Sequence, residues 1–187
     1  MQRTHKKLRQ RGFTLIEALI SLVILSFGIL SLAVIYSQGI YYSNMTQVDY
    51  IAEKKAEEAI ETIFTARDTG VLTWAQIQNV TGTTGTDGGV FIDGARPLLD
   101  PGADGLVGTA DDDASKPDSV IIGPGPDNIL GTADDQSINL NPWMTRTIAI
   151  TPVAGEANLR MITVTINYRS GKLNRNFVLV SYISAYA

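Results

Sequence analysis

Six aspartates in this 187-residue chain stand in two matched sets. In PGADGLVGTADDD (101–113), Asp104 is followed by Asp111 and Asp112. In PGPDNILGTADDQ (124–136), offset by 23 residues, Asp127 is followed in the same way by Asp134 and Asp135. The copies share P-G-x-D and G-T-A-D-D, and Asn128 stands where the first copy has Gly105. Carboxylates on glycine-rich turns are hard oxygen donors, the chemistry Ca2+ seeks when it gathers about 6–8 oxygens. The D-x-D-x-D-G spacing of an EF-hand is absent. The bland reading is a pair of solvated Asp-Gly turns, which local turn chemistry favours by itself. Crowded like charge weighs toward a structural Ca2+ held by one or both loops.

A seventh acid stands apart. Glu17 lies near the start of an apolar run from Phe13 to Tyr36 and is its only formal charge; the next is Asp49. A carboxylate at membrane depth costs several kcal/mol unless it is paired. Other chemistries are excluded by composition. With no cysteine there is no disulfide, thiol catalysis or thiolate metal site. The one histidine, His5, lies in a basic head with Arg3, Lys6, Lys7, Arg9 and Arg11. Without that head the chain has no imidazole, the commonest general base and a usual zinc ligand. Its formal charge would also go from −4 to −9. An acidic body of this kind argues against nucleic acid as a partner, and no enzyme is expected.

The elements that must carry these residues follow from periodicity. Residues 1–12 are polar and basic, and 13–36 are long enough to cross a membrane, since about 20 apolar residues span roughly 30 Å of hydrocarbon. The basic flank would stay cytoplasmic. Over 37–70 the pattern turns amphipathic. Met45, Val48, Ala52, Ala56, Ala59 and Ile63 form one helical stripe, opposite Asp49, Glu53, Lys54, Glu57, Glu58 and Glu61. One helix of about 55 residues, roughly 80 Å long, should end at Gly70, a fitting C-terminal cap. Residues 71–187 read as a globular domain. Its stretch 82–89 is loop by composition, and short strands are expected at Val90–Ile92 and Val120–Ile122. The Asp/Gly loops occupy 100–136. Thr145–Thr151, Ile162–Tyr168 and Phe177–Ile183 alternate as strands, with a turn at Ser170–Lys172. The fold class is α+β: a long N-terminal helix whose stripe packs on an antiparallel sheet of three or more strands.

Three readings of the front end compete. A secretory signal has a shorter apolar core and a small-residue cleavage site, and a plain membrane anchor needs no acid at this position. The third rests on resemblance. Gly12-Phe13-Thr14-Leu15-Ile16-Glu17, after a basic leader and before about 20 apolar residues, resembles the processing signature of type IV pilins and type II secretion pseudopilins. The helix-then-sheet order is similar to the pilin fold along the whole chain. The resemblance implies cleavage between Gly12 and Phe13 by a prepilin peptidase and N-methylation of the new Phe13 amine. It also implies assembly with other pilin or pseudopilin subunits through the N-terminal helix, Glu17 of one chain meeting the Phe13 amine of a neighbour. Before assembly the subunit would sit in the bacterial inner membrane, a single pass with its C-terminal domain outside the cytoplasm.

The stretch LVILSFGILSLAVIYSQ (22–38) resembles minor pilins of the pilus-modification type and the minor pseudopilins that cap a secretion pseudopilus. Major pilins commonly carry proline at the position of Val34, and many close a C-terminal loop with a disulfide; this chain has neither feature. Gly102-Ala103-Asp104-Gly105 with Ala110-Asp111-Asp112 resembles the calcium loop of major pseudopilins. The expected function is a structural minor subunit of a type IV pilus or related fibre. The alternatives are a minor pseudopilin and a membrane-anchored calcium-binding or adhesive module that never polymerises.

Overall fold

The computed structural model describes residues 13–81 and 89–186. The leader expected over 1–12, Gly12 included, and most of the glycine-rich stretch 82–89 lie outside them. The chain divides between Asn44 and Met45 into two units, both threaded by one helix, α1 (Leu15–Asp68).

In the first unit α1 is bare apolar surface. Its most apolar 18 residues have a mean hydropathy of 2.7 and none is buried. This segment is long and apolar enough to cross a membrane. Its serines satisfy their hydroxyls locally: Ser21, Ser26 and Ser31 donate to the carbonyls of Glu17, Leu22 and Phe27, one turn back, at 2.7–2.8 Å. No hydroxyl among the three is left to seek water in hydrocarbon, where an unmet polar group is expensive. Gly28 and Gly39 do not interrupt the helix.

In the second unit the stripe on α1 does what its spacing predicts. Ala52, Ala56, Ala59 and Ile63 are wholly buried, and Val48 packs partly against the same core. Ile51 and Ala66 extend the buried face. Gly70, with φ +73°, follows the helix as expected, and the Leu72 amide closes back on the Ala66 carbonyl at 3.0 Å. Opposite the stripe lies a four-stranded antiparallel sheet in the order β1 (Arg96–Pro97), β6 (Met144–Val153), β7 (Glu156–Ser170) and β8 (Leu173–Ser184). Ile162, Val164, Ile166 and Tyr168 bury one face of β7. On β8, Ile183 is buried while Val178, Val180 and Tyr182 face solvent, which is the alternation the sequence requires. The arrangement is an α+β, pilin-like one.

The connection from helix to sheet is held by two polar side chains. Arg160 on β7 stacks over Trp74, 4.1 Å from its ring centroid, and donates to the Trp74 and Ile77 carbonyls. Asn79, nearly buried, donates to the Ile148 carbonyl and accepts from the Ile150 amide at 2.7 Å. Val90–Ile92 does not form the expected strand. Phe91 makes one isolated parallel bridge to Asn79, because its neighbours bond to loop carbonyls instead.

The repeat folds as two hairpins. β2 (Leu99–Asp100) pairs with β3 (Asp113–Pro117), and β4 (Ser119–Gly123) with β5 (Gln136–Asn139). The first Asp/Gly loop is the tip of one and the second the tip of the other. Val120–Ile122 is strand, as its composition suggests, but its partner Gln136–Asn139 carries no such signal.

Candidate functional site

The two hairpin tips are built by the same bonds. In the first, the Asp104 carboxylate accepts from the Leu106 amide at 2.8 Å, an Asx turn. Asp111 accepts from the Asp104 amide at 3.2 Å and from the Thr109 hydroxyl at 2.7 Å. Asp112 accepts from the Gly108 amide at 2.8 Å. In the second, Asp127 accepts from Ile129, Asp134 from the Asp127 amide and the Thr132 hydroxyl, and Asp135 from Gly131. Gly105 (φ +70°) and Asn128 (φ +58°) occupy the same left-handed position. Asparagine is among the few other residues that accept it, so the substitution leaves the turn intact. At Gly102 a Cβ would stand 2.2 Å from the Asp111 carbonyl oxygen, and at Gly125 2.1 Å from that of Asp134, so both positions require glycine.

Each carboxylate is thus engaged by donors of its own loop. Among the described residues no group of three or more acids is gathered as a metal cage. The structure brings Asp104 to Asp111 and Asp127 to Asp134 through backbone amides, while Asp112 and Asp135 turn to Gly108 and Gly131. Asp135 keeps one buried oxygen, Oδ1, without a donor.

These contacts set the titrations. The Thr109 hydroxyl, followed by the Asp104 amide, holds Asp111 below the usual carboxylate range. The Thr132 hydroxyl does the same for Asp134. Asp112 is pushed up by burial, against the pull of the Gly108 and Thr109 amides. A lowered carboxylate stabilises the fold above its unfolded pKa, about 3.9, and that contribution is lost as pH falls through the folded value. Asp112 works in the opposite direction: its penalty is relieved as pH falls through its raised value. A Thr109→Val variant should move the Asp111 midpoint up toward about 3.9 and leave Asp134 where it is. Carboxyl-carbon NMR titration reads both in one sample; equal movement of the two, or none, would contradict this wiring.

Beneath the first tip lies a partly buried charge network. Lys55 on α1 bridges Glu58 and Asp118 at 2.7 Å each. Arg146 on β6 is only 3% exposed, and its Nη1 has no hydrogen-bond partner. Burial pulls Arg146 down, and the charges of Glu58, Asp112 and Asp118 oppose that pull. Sequence reasoning missed this cluster. Arg146 interrupts an otherwise apolar face of β6, and that interruption was the available signal.

At the start of α1, Glu17 has a local role that its apolar setting disguised. The Thr14 amide and hydroxyl donate to the Glu17 carboxylate at 3.4 and 3.3 Å, and the Glu17 amide donates to the Thr14 hydroxyl at 3.4 Å. This is a long-bonded capping box, S/T-x-x-E, at the first helical turn. It also places a negative charge at the positive end of the helix dipole. Phe13, at which the resemblance places the cut, is exposed just ahead of it.

With this geometry in place, the comparisons define the class. A family model described as the prokaryotic N-terminal methylation motif matches residues 7–33. It is the prepilin-type signature of type IV pilins and pseudopilins. No curated protein and no solved structure matches the chain. The chain carries the signature of a processed, pilin- or pseudopilin-like subunit over that stretch. The signature implies processing by prepilin peptidase and assembly with other pilin subunits.

Proposed function

We propose that this chain is a minor subunit of a type IV pilus or related fibre. Its leader is removed between Gly12 and Phe13, the Phe13 amine is methylated, and the subunit waits in the bacterial inner membrane with its second unit outside the cytoplasm. It then joins the fibre through α1. The observation that carries this reading is the front of α1: an apolar, wholly exposed helical segment with one carboxylate, Glu17, in its first turn. Such a surface needs lipid or neighbouring helices to cover it. In shear-released fibre preparations the chain should accompany a major pilin. Finding it with secretion-system components would assign it to a pseudopilus, and finding it only as a dispersed membrane protein would contradict the reading.

Ca2+ at the two hairpin tips belongs to the same proposal. It is supported by the donor chemistry: six carboxylates, the Asp111 and Asp134 carbonyls beside Gly102 and Gly125, and the undonated Asp135 Oδ1. A cation held by Asp104, Asp111 and Asp112, or by Asp127, Asp134 and Asp135, would offset their mutual repulsion. At a hundredfold excess over its Kd it would add about 2.7 kcal/mol to stability. Ca2+ should therefore raise the melting temperature of the detergent-solubilised protein and chelator should lower it. No shift in either direction would contradict it.

A further inference from the structure

The duplicated hairpins supply an internal standard for one surface. Leu106-Val107 in the first tip and Ile129-Leu130 in the second occupy equivalent places in loops closed by equivalent bonds. Leu106 and Val107 are 4% and 1% exposed, sunk into the core. Ile129 and Leu130 are 59% and 65% exposed. The same apolar dipeptide is a buried plug in one copy and an unpartnered plug in the other. Ile122 and Ile138, on the strands behind it, are exposed as well. Two neighbouring large aliphatics held out by an internally bonded loop can serve as an aliphatic docking anchor for a pocket.

Charge selects the receptacle. Residues 119–139 contain Asp127, Asp134 and Asp135 and no lysine or arginine. The groove beside Leu106, of about 580 Å³, is rimmed by Glu57, Glu58, Glu61 and Asp104 against one cation, Lys54, which is paired with Glu57; its net negative rim would repel that tip. A second groove of about 540 Å³ lies between Trp143 and the β7–β8 turn, lined also by Asn167, Arg169, Asn174 and Arg175. Arg175 is paired with Asp49 at 2.5 Å, whereas Arg169 makes no ion pair among the described residues. Lys172 sits in the turn itself. Trp143, half-buried and fixed by its indole N–H to the Asn139 carbonyl, gives this basic groove an apolar wall.

We propose that the Ile129-Leu130 tip of one copy of this chain docks in the Trp143–Arg169 groove of a second copy. The aliphatic pair packs against Trp143, and the tip, whose three aspartates leave it net negative even with one Ca2+ held among them, faces Arg169 and Lys172. Plug and groove are different surfaces, so the contact is heterologous and repeats head to tail. It uses the second unit alone and does not depend on N-terminal processing.

The chain has no cysteine, which permits a direct test. Full-length A133C, with its cysteine at an exposed place in the same tip, and N174C proteins carrying different tags are co-expressed, and their membranes are treated with a short bismaleimide. The A133C–N174C heterodimer should form at least about tenfold more than a K116C–N174C control and should fall to the control when Leu130→Ser is added to the A133C chain. It should fall by a similar factor when Arg169→Glu is added to the N174C chain, since like charge across an interface slows association and rejects partners. Salt raised to about 0.5 M should lower it too. Circular dichroism on each variant confirms that the fold is kept. A heterodimer yield equal to the control, a yield indifferent to Arg169→Glu or to Leu130→Ser, or crosslinks only between two A133C chains would overturn the proposal.

Discussion

A Glu17→Gln subunit is expected to be cleaved like the parent chain and yet to be incorporated into fibres at least about tenfold less. The reasoning separates two duties of one carboxylate. As the last residue of the capping box, at N3, Glu17 accepts from Thr14, and glutamine serves that position as well as glutamate does. As the only charge in the apolar run from Phe13 to Tyr36, it gains from the helix dipole in its own turn, but at membrane depth full compensation needs a cation. Cleavage creates one, an α-amino group with an ordinary pKa near 8 that is largely protonated at neutral pH. A carboxylate left unpaired at membrane depth costs several kcal/mol, and about 1.4 kcal/mol already corresponds to tenfold. Glutamine keeps the cap and removes the pair, so a loss of incorporation in Glu17→Gln isolates the charge. Glu17→Ala removes both and should do no better. Quantitative immunoblotting of sheared fibres against the membrane fraction measures the difference. Full incorporation of the glutamine variant would reduce Glu17 to a helix cap.

The second large effect is expected in the folded unit. Asp118→Ala should lower its stability by well over about 1 kcal/mol, the worth of a surface pair, toward about 3–5 kcal/mol, the range for breaking a buried pair by removing one partner, since Lys55 and Asp118 are mostly out of solvent. Asp118 stands between the two hairpins. Its backbone N–H donates to the Leu98 carbonyl and its carbonyl accepts from the Leu140 amide, while its carboxylate, with the side chain 13% exposed, receives Lys55 at 2.7 Å. Removing that carboxylate leaves Lys55 with Glu58 alone. It also takes away one of the three acids that oppose the desolvation of Arg146. Burial lowers Lys55, but its hydrogen bonds to Asp118 and Glu58 outweigh burial and raise it above its ordinary value. A raised lysine contributes stability that is present below its unfolded pKa, about 10.4, and is lost as pH rises through the folded one. The parent should therefore lose this increment only in strong alkali, and Asp118→Ala should lack most of it at neutral pH. Thermal melts of the two proteins at pH 7 make the comparison; a difference under about 1 kcal/mol, the worth of a surface pair, would show that the network is not buried in effect.

The parts of this fold that were legible are those where burial follows a period. Ala52, Ala56, Ala59 and Ile63 recur at helical spacing and are all wholly buried. Ile162, Val164 and Ile166 alternate with threonines and do the same on β7. Of the hairpins, only the repeat and the strand at Val120–Ile122 were legible. β2 is two residues long, β3 reads DASKP and β5 reads QSIN, none of which carries an apolar alternation. Pairing there is enforced by the loop bonds between the strands, whose donors are mostly backbone amides. The opposite fates of Leu106-Val107 and Ile129-Leu130 could not be read at all, since both dipeptides are large, aliphatic and set in the same motif. Only the tertiary surroundings distinguish them. The capping box, in contrast, was open to reading: Thr14 and Glu17 have the required spacing, but the lone acid drew attention to the membrane and away from its own first turn.

Mass spectrometry of the intact mature protein, with fragmentation of its N-terminal peptide, tests the central claim most directly. A processed fibre subunit must begin at Phe13, carry one methyl group on its α-amine and lack residues 1–12. A chain that keeps Met1, or is cut after another residue, would contradict the account whatever its C-terminal unit does.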